Sequence, residues 1–430
     1  MRKRLKAVVA AVMATVLSAC TIGAAGRGAS ALEEWGRTQT QFPCAEVKRD
    51  QWKMGTTGAT VHYAVAGVAD AREFASGLRA EIERINPRSG EFVGRVTWPV
   101  DGGVVSYQFP GHGELDDKLW AVADAPLPVG AVERRLGWME SKRLRGTPDG
   151  APLMEYVSDD LLATAEAADA PEGFRVVVRS TVGEASSEEP MWLGPFPAAE
   201  LVERARLLRG VEMRRLSGDH VAMKEARDVR AAADHLGSHA WTVSGDAVSA
   251  EVGPGTAPEL DLLDWVAAQG KPFSFYQAGR VLRLTASGED ECQRLLAEAP
   301  PPSRSVTLRC HAHSAYGILD GTFAELSTFM APSMKALRAG AGHVSMKPGE
   351  VGASLDHERP ETWIPALAAI RELNWDGEWR VGLQGYVASR LMFSSTATGP
   401  AEDVQQPRRT NETHEADIER LLAAWNASAG

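Results

Sequence analysis

Cysteine, positive charge and long apolar runs are all scarce in this sequence. The 430 residues include four cysteines, and 57 aspartates and glutamates outnumber 46 lysines and arginines, which gives a formal net charge of −11. An acidic chain is poorly suited to nucleic acid, so we expect no nucleic-acid partner. After the N-terminal segment, no apolar run approaches the roughly 20 residues that a membrane-spanning helix needs.

Local signatures of catalysis are missing as well. The sequence has no Gly-x-Ser-x-Gly elbow, no His-Glu-x-x-His motif, no phosphate-binding loop and no EF-hand loop. We therefore predict no catalytic residue, no cofactor and no resident metal. An enzyme stays an alternative, because catalytic side chains can assemble from distant positions without leaving a local motif.

The N-terminal segment carries the clearest pattern. Four basic residues lie within 1–6, an apolar run covers 7–16, and small residues follow. This order is typical of a secretory signal peptide. The tetrapeptide Leu17-Ser18-Ala19-Cys20 also resembles the lipobox of bacterial lipoproteins.

The lipobox resemblance implies that Cys20 carries a diacylglyceryl lipid and becomes the first residue of the mature chain. Two acyl chains are enough for stable membrane retention, whereas one is only marginal. We therefore predict a protein anchored at the extracytoplasmic face of the cell membrane, with the membrane as its partner through Cys20.

The remaining cysteines are Cys44, Cys292 and Cys310, in a compartment where disulfides persist. Cys292 lies in a predicted helix and Cys310 at the end of the following strand. We predict a disulfide between these two, with two buried free thiols as the alternative. Cys44 cannot be assigned.

Helical and strand patterns alternate through the rest of the chain. The order strand, helix, hairpin, helix, strand recurs, with hairpin glycines at Gly102, Gly218, Gly279 and Gly349. A βαββαβ order is that of the ferredoxin-like, split-βαβ sandwich, with two helices on one face of an antiparallel sheet. We predict an α+β protein of tandem ferredoxin-like modules with antiparallel sheets.

The boundaries of this scheme follow from linker-like composition. The predicted segments are a signal peptide 1–19, a tether 20–58, module 1 59–140, a linker with a short helix 141–172, module 2 173–245, module 3 246–312, module 4 313–393, and a flexible segment with a C-terminal helix 394–430.

Within these segments, helices are predicted over 198–208, 289–298, 322–339 and 415–425. Pro332 should kink or split the third of these helices, and the amphipathic fourth should dock on the preceding domain.

The string Cys310-His311-Ala312-His313 is the most suggestive cluster for a metal. On a strand, His311 and His313 share one face and Cys310 points to the other. Two converging ligands are too few for a zinc site, so a solvated strand end is the preferred interpretation.

Two further clusters have a structural interpretation that we prefer. A soft copper site is the alternative for Met330, Met334, His343 and Met346, although methionines at helical spacing usually fill a core. A ligand-stacking role is the alternative for Trp375 and Trp379, which bracket a turn.

The sequence therefore predicts a lipid-anchored envelope protein, a non-enzymatic binding or scaffold protein that presents its modules to another envelope component. The alternative is an extracytoplasmic enzyme or small-molecule-binding protein with a site between modules. A deep cleft lined by convergent polar residues would favour this alternative.

Overall fold

The computed structural model describes residues 26–40, 46–52, 55–85, 91–110, 117–137, 151–181, 190–312, 314–385, 390–405 and 412–429. These residues belong to two compact units: unit 1 extends to Val211 and includes Leu216–Asp219, and unit 2 comprises Glu212–Arg215 and the chain from His220 onward. Cys20, Cys44 and His313 lie outside the described residues, and so do the predictions made for them.

Unit 1 alternates strands with helices after an opening helix, α1, at residues 26–38. Its strands are β1 (Glu46–Trp52), β2 (Gly55–Ala64), β3 (Glu91–Val100), β4 (Gly103–Pro110), β5 (Ala131–Gly137), β6 (Leu153–Ser158), β7 (Arg175–Ser180) and β8 (Trp192–Phe196). Its further helices are α2 (Val68–Ile85), α3 (Asp117–Ala121), α4 (Leu161–Glu166) and α5 (Ala198–Leu208). Strand β9 (Met213–Gly218) contains residues of both units.

Unit 2 continues the same alternation. Its strands are β10 (His220–Met223), β11 (Trp241–Gly245), β12 (Val248–Val252), β13 (Phe273–Ala278), β14 (Val281–Ala286), β15 (Val306–Ala312), β16 (Ala315–Gly321), β17 (Ala341–Lys347), β18 (Glu350–Leu355), β19 (Trp379–Gln384), β20 (Arg390–Ser395) and β21 (Glu402–Gln405). Its helices are α6 (Val229–Leu236), α7 (Leu260–Gln269), α8 (Glu289–Glu298), α9 (Phe323–Arg338), α10 (Trp363–Arg371) and α11 (Glu412–Ala427). None of the helices in the described ranges is long and apolar enough to cross a membrane.

The strands on either side of a helix are direct parallel neighbours. In unit 1, β2 pairs in parallel with β3, which then pairs antiparallel with β4. In unit 2, β16 pairs in parallel with β17, which pairs antiparallel with β18. The repeating element is therefore a helix between two parallel strands, followed by a turn.

This pairing corrects the predicted antiparallel, ferredoxin-like modules. In a split βαβ motif another strand lies between the two strands that a helix connects, whereas here those two strands are hydrogen-bonded to each other. The order of elements along the chain is the same in both arrangements. Alternation of helices and strands could therefore be predicted from the sequence, but the pairing could not.

In unit 2 the sheet has an apolar face covered by helices and a polar face. Along β15, Val306, Leu308 and Cys310 are buried, whereas Thr307 and Arg309 alternate with them on the opposite side. Helix α9 packs on β16 and β17 and lies between α8 and α10. The helices of this part of unit 2 therefore form one layer, and the other side of the sheet presents polar side chains.

Three segments contain helices or strands that the sequence does not predict there. Helix α1 and strand β1 lie in the predicted tether, β6 lies in the predicted linker, and β21 lies in the predicted flexible segment. These elements are short or lack a clear apolar period, so the neighbouring strands determine them more than local propensity does.

The expectation for Pro332 is also corrected in part. Helix α9 runs from Phe323 to Arg338 as one uninterrupted helix with Pro332 inside it. Pro332 is buried on the same helix as Phe329 and Met334, which are buried too. Packing of this apolar side against β16 and β17 compensates for the missing backbone hydrogen bond.

A disulfide links the helical layer to the sheet in unit 2. The sulfur atoms of Cys292 on α8 and Cys310 on β15 are 2.09 Å apart, with their Cα atoms 6.1 Å apart. Both residues are fully buried. The bond closes a loop with a sequence separation of 18.

Replacement of both cysteines, as Cys292→Ala and Cys310→Ala together, should lower the free energy of unfolding by about 3 kcal/mol, because the unfolded chain regains the entropy of the open loop. Denaturant titration of the oxidised proteins measures the change. A reducing agent should destabilise the wild type by a similar amount and leave the variant unaffected. Equal midpoints for the oxidised wild type and the variant would contradict this role.

A buried arginine fixes the C-terminal helix in unit 2. The Arg371 guanidinium donates hydrogen bonds to the carbonyl oxygens of Ala397 (2.8 Å) and Trp425 (3.0 Å) and to the Ser428 hydroxyl (2.9 Å). It also lies 3.8 Å from the centroid of the Trp425 ring. Burial lowers the pKa of Arg371 to about 10, so the guanidinium stays charged at neutral pH. The predicted docking of the amphipathic C-terminal helix is confirmed, since α11 packs on α10.

We predict that Arg371→Met costs roughly 3 kcal/mol of stability, because buried carbonyl oxygens lose charged donors while the side-chain volume is kept. Hydrogen exchange of residues 412–429 should accelerate more than that of the sheet. Arg420→Met, at an exposed position of α11, is the matched control and should change neither the stability nor the exchange rate. Slow exchange of this segment in Arg371→Met would show that the arginine does not hold the helix.

Candidate functional site

A cleft of about 870 Å³ lies at one end of the strands β15 to β18 in unit 2. It forms because β15 and β18 end where β16 and β17 begin, which brings His311, Ala315, Ala341 and Ser354 to the same edge of the sheet. The start of α8 and the end of α9 contribute to the wall, at Glu289 and Arg338. Residues far apart in the chain therefore converge at this edge.

The charged side chains of the cleft are already paired. A hydrogen-bonded ion pair joins Glu289 and Arg338, and the Arg359 Nε lies 2.8 Å from the Asp356 Oδ2. Each pair unites one acid with one base, and His311 and His357 are the other titratable side chains among the described lining residues. With neutral histidines, these lining residues carry no net charge.

Asp356 is held in one orientation by several contacts. The hydrogen bond from Arg359 and then that from the backbone N–H of Glu358 lower the pKa of the Asp356 carboxyl below its usual range. The Asp356 carbonyl oxygen accepts a hydrogen bond of 2.7 Å from the indole of Trp363 at the start of α10. Asp356 is therefore an ionised hydrogen-bond acceptor at neutral pH.

Hydroxyl and imidazole groups complete the cleft. The hydroxyls of Ser287, Ser314 and Ser354 and the imidazoles of His311 and His357 belong to lining residues. A hydroxyl or a neutral imidazole can both donate and accept a hydrogen bond. The cleft thus combines fixed donors, fixed acceptors and groups that can serve as either.

A row of rings extends from the cleft across the polar face. His311, Tyr316 and His343 are direct neighbours on β15, β16 and β17. The Tyr316 ring centroid lies 4.8 Å from that of His343 and 6.2 Å from that of His311, and the Arg309 guanidinium lies 4.2 Å from it. Because His311 lines the cleft as well, the row and the cleft form one continuous polar surface.

The polar face of unit 1 is different because its charges form a connected row of ion pairs. Glu133 lies 2.9 Å from Arg135 and 3.5 Å from Arg95, and it accepts a hydrogen bond from Ser106. Burial alone would raise the pKa of Glu133, but these hydrogen bonds and charges outweigh it, and the pKa lies below its usual range. Mutual neutralisation favours a structural role for this row.

The structure places Cys310 and His311, two residues of the string for which metal binding is the alternative interpretation, on opposite sides of a strand. Cys310 is in the disulfide on the helical side of β15, and His311 is on the polar side, as predicted for a strand. No group of three or more potential metal ligands converges in the part of the chain that the structure describes. Met330, Met334 and Met346 are buried at 4%, 0% and 1% exposure, which confirms that they fill the core.

Trp375 and Trp379, the two tryptophans that bracket a turn, have a packing role. Trp375 is buried, and its ring stacks on that of Trp379 at 5.1 Å. Within unit 2, the centroid of the Trp425 ring on α11 lies 6.4 Å from that of the Trp375 ring. These contacts favour the core interpretation over a ligand platform.

Sequence reasoning missed most of the cleft. From the sequence, Glu289 is placed at the start of the predicted helix 289–298 without a functional role, and Arg338, Asp356 and Arg359 are not singled out. The ends of α8 and α9 and the loop after β18 supply these residues. Only strand pairing brings these segments together, so no local signal could have identified the cleft.

The comparisons with known proteins supply no relative. No protein-family model, no curated protein and no solved structure matches the chain. Function is therefore argued from the chemistry of the site.

We predict that the Asp356 carboxyl titrates below the usual value of about 3.9 for aspartate and that Arg359→Gln moves its midpoint upward. The reason is that the variant loses the guanidinium that stabilises the anion. Carbon-detected NMR of the carboxyl group across an acid titration measures this. Arg338→Gln removes the other cleft guanidinium and serves as the control, with an unchanged Asp356 midpoint expected. An ordinary midpoint in the wild type would refute the assigned pair.

Proposed function

We propose that this chain is a lipid-anchored extracytoplasmic binding protein whose ligand site is the cleft of unit 2. The observation that carries the proposal is the convergence of polar and charged side chains from separate segments in one cleft. Such a cleft is the usual form of a small-molecule site. It supports the small-molecule alternative drawn from the sequence, since a pure scaffold needs no such cavity.

The position of the cleft agrees with the small-molecule alternative. Ser287 and His311 come from the segment 246–312, and Ser354 and Asp356 come from the segment 313–393. We had expected any ligand site to lie between modules. The cleft draws on both of these segments within unit 2.

The electrostatics favour binding over acid–base catalysis. A general acid or base works best with a pKa near the operating pH. The pKa of Asp356 is instead lowered by Arg359, and Glu289 is held by Arg338. The Asp356 carboxylate therefore remains ionised, which suits hydrogen bonding to a ligand.

The anchor is proposed from the sequence Leu17-Ser18-Ala19-Cys20. A diacylglyceryl and palmitate modification at Cys20 would retain the cleft at the cell membrane through two or more acyl chains. A retained binding protein can present its ligand to another envelope protein, which is the partner we propose.

Metabolic labelling with a tagged palmitate tests the anchor. The wild-type protein should be labelled and stay with the membrane fraction, whereas Cys20→Ser should lose both properties, because it lacks the thiol that accepts the lipid. Cys44→Ser is the matched control and should behave as the wild type. If Cys20→Ser remains labelled and membrane-bound, the anchor is wrong.

A further inference from the structure

We infer that the cleft binds an uncharged, hydroxyl-rich ligand of the saccharide class. This inference rests on the proposed binding function and specifies its ligand. It starts from three features of the described residues: charges that are already paired, walls without a well-exposed large aliphatic side chain, and an open backbone segment within reach of the ligand.

The paired charges disfavour a charged ligand. A ligand anion would have to compete with Asp356 for Arg359 or with Glu289 for Arg338. A ligand cation would have to compete with these arginines for the two carboxylates. The side chains of these pairs are partly or largely exposed, so loss of a partner carries a modest cost. A sugar hydroxyl avoids this cost, because it can donate to a carboxylate and accept from a guanidinium while the ion pair stays intact.

The walls offer few apolar anchors. Leu337 and Leu355 are the large aliphatic side chains among the described lining residues, and they are only 6% and 3% exposed. Peptide side chains are usually recognised through buried apolar or aromatic anchors. The polar part of the surface consists of hydroxyls, imidazoles, ion pairs and backbone, which matches a polyhydroxylated ligand.

The backbone is accessible at Gly342. This residue is exposed on β17, and a Cβ atom there would meet only the Ser354 carbonyl oxygen, at 3.8 Å. A ligand can therefore approach the strand closely. The ring row that begins at His311 continues the polar surface, so the site can accommodate more than one sugar ring.

The test uses the purified full-length chain and isothermal calorimetry. The neutral probes are maltohexaose, cellohexaose and N-acetylated chitohexaose. The charged probes are hexagalacturonate and the glucosamine hexamer, and an uncharged Gly-Ser peptide represents polypeptide ligands. We expect at least one neutral saccharide to bind and the charged and peptide probes to bind at least tenfold more weakly.

Three variants locate the binding. Gly342→Trp fills the cleft from an exposed position and should abolish binding. Asp356→Asn removes the negative charge of one acceptor. It should weaken binding of the neutral saccharide by roughly tenfold or more and strengthen binding of hexagalacturonate. Asp261→Asn breaks an exposed Asp–Arg pair of unit 2 outside the cleft, where Asp261 Oδ1 lies 3.0 Å from Arg230, and should leave binding unchanged.

Each other outcome has a defined meaning. If a charged or peptide probe binds, loses binding in Gly342→Trp, and outcompetes every neutral saccharide, the saccharide inference is wrong and the binding function stands. If a neutral saccharide binds equally well to Gly342→Trp, both the ligand assignment and the proposed site are wrong. If no saccharide binds, the inference is overturned.

Discussion

Direct parallel pairing of the strands on either side of each helix is the constraint on which the rest of unit 2 depends. Because α9 returns the chain to the strand next to the one it left, β17 lies beside β16. Repetition of this step places α8, α9 and α10 side by side. One side of the sheet is thereby covered, and the other side and the strand ends are left for polar residues.

The ties between layers are consistent with this construction. The Cys292–Cys310 disulfide joins α8 to β15 immediately before His311, a cleft residue. Arg371 joins α10 to the segment after β20 and to α11. The first tie reduces the freedom of a helix relative to the sheet, and the second reduces the freedom of one helix relative to another. A site assembled from helix ends and strand ends needs such rigidity.

The charged side chains of the cleft are also held in place by contacts within the protein. Arg359 orients Asp356 and lowers its pKa, and Arg338 pairs with Glu289. Preformed pairs present donors and acceptors without a net charge. This arrangement is the basis of our proposal that the site binds an uncharged ligand through hydrogen bonds.

Local patterns could predict much of the secondary structure but not the pairing or the site. The predicted bounds 198–208 and 289–298 agree with α5 and α8, because apolar periodicity and flanking breakers act within one segment. Cys292 and Cys310 could be paired from sequence because they lie on consecutive elements. Strand partners depend on contacts between segments, so the parallel pairing, the buried strand β6 and the convergence of Asp356 with Glu289 had no local signal.

Hydrogen exchange of the full-length chain, with and without a saturating neutral hexasaccharide, tests the central claim most directly. The amides at the ends of β15 and β18 and at the start of β17, around His311, Asp356 and Gly342, should become more protected, because the ligand covers that edge of the sheet. Protection confined to unit 1, or to the far ends of these strands, would contradict the assignment of the cleft as the binding site.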